Sequence, residues 1–93
     1  MAEREYAETV ALQALAWLLG PSDLAETFLG ASGLAADTLR ARATDPEVLA
    51  AVLDFVLMDD AWVMGFATDA GLAPQAVARA RAALPGGTLP HWT

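Results

Sequence analysis

The sequence has no cysteine and no lysine, and His91 is its single histidine. These absences exclude disulfide frameworks, thiolate metal sites, cysteine nucleophiles, Schiff-base chemistry and centres built from several histidines. The two serines, Ser22 and Ser32, lie beside predicted turns, and the base of a serine triad would have to be His91 in the last residues of the chain. We therefore expect a non-enzymatic protein without catalytic residues, metal or cofactor.

Positive charge is scarce. The chain has five arginines and twelve aspartate and glutamate residues, which gives a formal net charge of −7. Such a chain repels nucleic-acid phosphates and anionic membrane surfaces on average. Its longest apolar stretches, residues 14–19 and 48–53, are six residues each, whereas a membrane span needs ~20. Because glutamates surround Arg4, the start of the chain does not resemble a secretory signal. We expect a cytoplasmic protein with no membrane contact and with nucleic acid disfavoured as a partner.

Alanine is abundant and indicates helices, because it loses no side-chain entropy in them. Helical spacing of apolar residues predicts a first helix over residues 3–19 and a fourth over residues 46–58. Shorter helices are predicted around Phe28, Leu39, Phe66 and Val77. A chain of 93 residues can hold one core. The prediction is therefore an all-α, compact single domain of about six short helices over residues 1–84, followed by a Pro/Gly-rich C-terminal tail over residues 85–93.

Local signals mark the helix ends. Asp45 before Pro46 is typical of a helix start, and Gly71 is typical of a helix end. Ser22 or Asp23 is the predicted cap of the second helix. The fourth helix is apolar on nearly every side except a stripe through Glu47 and Asp54, so we expect it at the centre of the core.

A shift of 38 residues aligns the two halves of the chain. It places Phe28 on Phe66 and Gly33 on Gly71, and it also pairs Trp17 with Phe55. Two pseudo-repeated three-helix units would produce this match, as would chance similarity between alanine-rich helices separated by glycine. Both interpretations stay open at this point.

Asp54 interrupts an apolar run, and Asp59 and Asp60 follow it closely. A cation site is disfavoured, because the spacing lacks the alternating ligands, central glycine and closing glutamate of a calcium loop. Solvent exposure of Asp54 is the simpler interpretation. If Asp54 is buried, an arginine must compensate its charge, and Arg40 or Arg42 is the expected partner.

Residues 66–84 have the pattern of a helix-turn-helix, with Gly71 at the turn. In that motif the second helix enters the major groove of DNA, and Gln75, Arg79 and Arg81 would be its contacts. A helical hairpin that merely stops at glycine has the same pattern. DNA-binding domains are commonly basic, whereas the pI here is about 4.2. DNA binding is therefore kept as the alternative function.

Tryptophan concentrates binding energy at protein interfaces, and this short chain has three. Trp17 and Trp62 lie among apolar neighbours, where core packing is the more common role. Trp92 lies in the Pro/Gly-rich tail. Met58, Trp62 and Trp92 are the candidate interaction residues. Gly65 inside the fifth helix indicates close approach of another helix, within or between chains.

Several segments resemble a known family, namely residues 11–18, Gly33-Leu34, Leu39-Arg40, Val52-Leu53-Asp54-Phe55-Val56-Leu57 followed by Asp59-Asp60, and residues 66–81. They are similar to small, all-helical bacterial proteins of about this length that form a domain family of unknown function. The resemblance implies a compact helical fold and no activity or cofactor. Because Arg40 and Asp54 belong to the family pattern, it also implies a structural contact between these two side chains.

Together these observations predict a small acidic helical protein that acts as a protein-protein interaction module. A homodimer is one form of that interaction, and the identity of any other protein partner is open. We expect an exposed apolar patch that includes Met58, Trp62 or Trp92.

Overall fold

Six α-helices make up the regular structure of the part of the chain described by the computed structural model, residues 2–20 and 22–84. They are α1 (Ala2–Leu19), α2 (Ala25–Ser32), α3 (Ala36–Ala41), α4 (Pro46–Leu57), α5 (Asp60–Ala70) and α6 (Gln75–Ala82). The all-α, single-domain prediction is confirmed. Residues 85–93, the predicted tail, lie outside the described residues.

Most helix ends lie where the local signals predict. The Asp45 carboxylate accepts a hydrogen bond from the backbone N–H of Glu47, with Pro46 in the first turn of α4. Asp59 caps α5 in the same way, and Gly71 ends that helix in the left-handed conformation. The predicted cap of α2 is wrong. Leu24 occupies the N-cap, and the Ser22 hydroxyl instead accepts from the Leu24 N–H at 3.2 Å.

The core lies around α4, as its apolar sequence predicts. This helix packs against α1, α2, α5 and α6. Seven of its twelve residues are buried, namely Val48, Leu49, Ala50, Val52, Leu53, Phe55 and Val56. The predicted polar stripe is exposed at Glu47 and Asp54. No charged or polar residue in the described part of the chain is buried, so apolar burial holds this core together.

The helix ends in the two halves of the domain are related by the 38-residue shift. By that shift the ends of α1 and α2, Leu19 and Ser32, correspond to the ends of α4 and α5, Leu57 and Ala70. Gly33 and Gly71 both have positive φ, 76° and 71°, at the ends of α2 and α5.

Aromatic contacts connect the two halves reciprocally. Trp17 of the first half lies 5.9 Å from Phe66 of the second, and Phe55 of the second lies 5.3 Å from Phe28 of the first. The shift exchanges these two pairs, which is what an internal two-fold relation produces. The match is incomplete at the third helix of each half. α6 packs between α1 and α4, while α3 has no contact of similar extent.

Candidate interaction surface

Between Thr9 and Leu19, one side of α1 is exposed and carries no charge. It consists of Thr9, Leu12, Gln13, Ala16 and Leu19, which we call the α1 face. These residues are three or four positions apart or adjacent, so they lie on one side of the helix. Leu12 is 40% exposed and Leu19 is 54% exposed. A helix surface that meets only water normally carries charged side chains, and this chain has 17 of them.

A cleft between α1 and α5 adjoins the α1 face and shares Gln13 and Ala16 with it. The cleft has a volume of about 270 Å³ and opens to solvent. Its lining residues are Gln13, Ala16, Trp17, Phe66, Asp69 and Ala70. The walls are therefore mainly apolar, with one carboxylate and one amide as polar groups.

Gly65 leaves room for the side chain of Trp17 between the two helices that form this cleft. A Cβ atom at Gly65 would lie 3.2 Å from Cζ2 of Trp17. The indole covers the glycine, and its Nε1 donates a 2.8 Å hydrogen bond to Oδ2 of Asp69. Trp17 is only 9% exposed, so it is a core residue as predicted. The packing of another helix against Gly65 occurs within the chain, through the Trp17 side chain of α1.

A second cleft lies between α2 and α4, at the position related to the first by the 38-residue shift. Its volume is about 190 Å³, and it is lined by Phe28, Ala31, Ser32, Ala51, Asp54, Phe55 and Met58. Six of these seven residues are the shifted counterparts of the residues that line the α1/α5 cleft. The repeat was visible in the sequence, but the pairing of clefts was not, because it depends on how the halves pack.

Asp54 pairs with Arg81, so the contact that the family resemblance implied between Arg40 and Asp54 is wrong. Nε of Arg81 donates to Oδ1 of Asp54 at 2.6 Å, and the Arg81 side chain is 16% exposed. Arg40 instead lies 3.3 Å from Asp37, with both side chains largely exposed. Arg42 pairs with Asp45. The physical reason is that α6 packs against α4, whereas α3 leaves Arg40 exposed at the surface.

The residues proposed for DNA contact do not form one exposed set. Gln75 and Arg79 are exposed, but Arg81 is engaged with Asp54. Val77 and Ala80 bury the opposite side of α6, with exposed fractions of 0% and 1%. The helix thus contributes to the core and offers two polar side chains to solvent.

The candidate interaction residues differ in exposure. Met58 is 71% exposed and lines the α2/α4 cleft. Trp62 is half-buried, with its ring stacked on Phe55 at a centroid distance of 4.6 Å. Trp92 lies outside the described residues. The α1 face was not predicted, because it contains no tryptophan, the residue type that pointed to an interface. The available signal was the absence of charge after Glu8 in α1.

Within residues 2–20 and 22–84, no three His, Asp or Glu side chains form a group that could hold a metal ion. In the same residues, no helix combines the length and the apolar character that a membrane span requires.

Comparison with known proteins agrees with the resemblance seen in the sequence. The family described as Protein of unknown function (DUF3572) matches residues 4–87. Neither the curated proteins nor the solved structures contain a match. The matched range includes all six helices except the first residues of α1. The chain therefore belongs to the DUF3572 family.

Proposed function

We propose that this protein is a non-enzymatic protein-protein interaction module that binds its partner on the α1 face and the α1/α5 cleft. The observation that carries the proposal is the absence of charge on the exposed side of α1 from Thr9 to Leu19, beside an open apolar cleft. Exposed apolar surface is costly unless a partner covers it, and such surface is common at interaction sites. We place this interaction in the cytoplasm.

The size and chemistry of the cleft favour a protein side chain over a small molecule. At about 270 Å³ the cleft lies at the lower end of the ~300–1,000 Å³ range of common ligand pockets, and it is open to solvent. Its polar groups are one carboxylate and one amide. A catalytic site needs a nucleophile or a base with an orienting group and a place for developing charge. Asp69 is the one titratable side chain in the cleft lining, and no second acid, base or cation lines the cleft beside it.

The helix-turn-helix alternative has less support. Its three predicted contacts are reduced to Gln75 and Arg79, because Arg81 is bound to Asp54. Phosphate contacts dominate the affinity of proteins for DNA, and the net charge of −7 opposes them. If the purified protein binds a random DNA duplex at physiological salt and loses that binding in Arg79→Ala, the alternative replaces our proposal.

The proposal is tested with Ala16→Glu, which places a charge in the middle of the α1 face. Ala78→Glu is the matched control, because Ala78 is also an exposed alanine inside a helix. The wild type should retain a partner from a lysate of its own cells, or should self-associate in light scattering across a dilution series. Ala16→Glu should abolish that association, and Ala78→Glu should keep it.

Two results would contradict the proposal. One is a wild-type chain that remains monomeric at every concentration and retains no protein. The other is an association that Ala16→Glu leaves intact. Circular dichroism of both variants checks that the helical fold is preserved.

A further inference from the structure

Asp69 is the acidic residue in the lining of the α1/α5 cleft. Its Oδ2 atom accepts the hydrogen bond from Trp17 Nε1, which holds the carboxylate against the cleft wall. Its Oδ1 atom has no hydrogen-bond or ion-pair partner among the residues that the structure describes. The residue is exposed. An oriented carboxylate beside an apolar cleft is suited to bind a cation that accompanies an apolar group.

The related α2/α4 cleft already has a cation on its carboxylate. There the guanidinium of Arg81 lies 2.6 Å from Asp54, the acidic residue of that lining. The two carboxylates are not counterparts, because the 38-residue shift places Asp54 on Ala16 and Asp69 on Ala31. The carboxylate of the α2/α4 cleft is paired with an arginine from α6, whereas the carboxylate of the α1/α5 cleft has no arginine on it among the described residues.

The chain has few cations to offer to a second copy. Arg4, Arg40, Arg42 and Arg81 all form ion pairs within the chain. Arg79 is the arginine that has no ion pair among the described residues. Two copies with a net charge of −7 each also repel one another. Charge complementarity thus favours a basic partner of a different sequence.

We propose that the α1/α5 cleft binds an amphipathic helix of a basic protein, which inserts one large apolar side chain between Trp17 and Ala70 and places an arginine or lysine on Asp69. The inference rests on the proposed function and names the chemistry of its partner. Residues three or four apart lie on the same side of a helix. The apolar anchor and the cation should therefore be separated by one helical turn.

The test uses a phage-displayed library of random peptides, selected on the intact chain. Selected peptides should share a large apolar residue with an arginine or lysine one turn away. Calorimetry should then show about tenfold weaker binding to Asp69→Asn, since a charge-assisted hydrogen bond is lost. The asparagine Oδ1 still accepts from Trp17, so the fold is kept. Asp37→Asn, which removes a fully solvated carboxylate, is the matched control and should bind like the wild type.

The outcomes separate this inference from the proposed function. Three results would each overturn the inference. They are selected peptides that lack basic residues, peptide binding to Asp69→Asn as tight as to the wild type, and self-association of the chain that Asp69→Asn leaves unchanged. If Ala16→Glu still abolishes binding in those cases, the interaction module stands and only the partner chemistry is wrong. Failure to select any peptide, or binding that Ala16→Glu and Asp69→Asn both leave intact, would overturn the inference and count against the proposed function.

Discussion

At the scale of single residues, Gly65 and Trp17 determine how closely α5 approaches α1. Alanine usually stabilises a helix relative to glycine by about 1 kcal/mol, because the backbone of glycine loses more entropy on folding. At Gly65 a methyl group would meet Trp17 at 3.2 Å. The indole cannot move away freely, because it is hydrogen-bonded to Asp69 and its ring packs against Phe66.

We therefore predict that Gly65→Ala lowers the free energy of unfolding by about 1 kcal/mol, since overpacking outweighs the gain in helix propensity. Gly30→Ala is the matched control. Gly30 lies inside α2, and nothing is within 4 Å of the position that its Cβ would take. It should raise the free energy of unfolding by about 0.5–1 kcal/mol. Urea titrations measure both changes. Equal stabilisation by the two substitutions would show that Trp17 moves freely.

The arginines also differ in how exposed their ion pairs are to water. Arg81 is mostly shielded from water in its pair with Asp54, whereas Arg40 and Asp37 are 79% and 95% exposed. Ion pairs at the surface contribute little, because water screens them and long side chains lose entropy.

A double-mutant cycle of Arg81→Ala and Asp54→Ala should give a coupling energy of about 1 kcal/mol, near the upper end for partly exposed pairs. The same cycle on Arg40 and Asp37 should give a value close to zero. Chemical denaturation of the six variants and the wild type provides both numbers. Coupling at Arg40 as large as at Arg81 would contradict the difference in burial.

At the scale of elements, the start of α4 depends on a charged cap. The Arg42 guanidinium, which donates to the Asp45 carboxylate at 2.7 Å, holds the pKa of Asp45 below its ordinary value. The Glu47 N–H acts in the same direction. Because the pKa of this carboxyl is lower in the folded chain than in the unfolded chain, its contribution to stability is present at neutral pH and is lost in acid.

We expect Asp45→Asn to remove this dependence, since asparagine also caps helices but does not titrate. Below about pH 4, as the pH falls through the lowered pKa, the wild type should lose stability faster than the variant. Helical circular dichroism during denaturation at several acidic pH values measures the difference. If the two proteins lose stability in parallel, Asp45 does not carry this pH dependence.

Much of the element pattern was predictable, because helix ends depend on neighbouring residues. The carboxylates of Asp45 and Asp59 each accept a hydrogen bond from a backbone N–H two positions further along the chain. Pro46 and Gly71 act through their own backbone conformations. The start of α2 was not predictable in this way. There the chain leaves α1 with Asp23 in a left-handed conformation, and the Ser22 hydroxyl bonds to Trp17 O as well as to Leu24 N.

At the scale of the whole molecule, the two related halves should respond alike to equivalent substitutions. Phe28 and Phe66 are both 1% exposed, and each contacts an aromatic ring from the other half. We predict that Phe28→Leu and Phe66→Leu each cost about 1–2 kcal/mol through poorer packing. Thermal and urea unfolding should place the two costs within about 1 kcal/mol of each other. A large difference would show that the halves are not energetically equivalent.

The tertiary features could not be read from local patterns. The sequence alone did not show which arginine pairs with Asp54, because the packing of α6 against α4 is what brings Arg81 to it. The α1/α5 cleft joins residues more than fifty positions apart, such as Trp17 and Asp69. The exposed side of α1 was closer to being predictable, because the lack of charge after Glu8 is a local property.

The central claim, that a protein partner covers the α1 face, is tested most directly by site-specific photocrosslinking inside the cell of origin. A photoreactive residue replaces Leu12 on the α1 face or, as the control, Ala78 on α6. Irradiation should join the chain to a defined partner from position 12 and not from position 78. An absence of adducts at position 12, or identical adducts from both positions, would contradict the account.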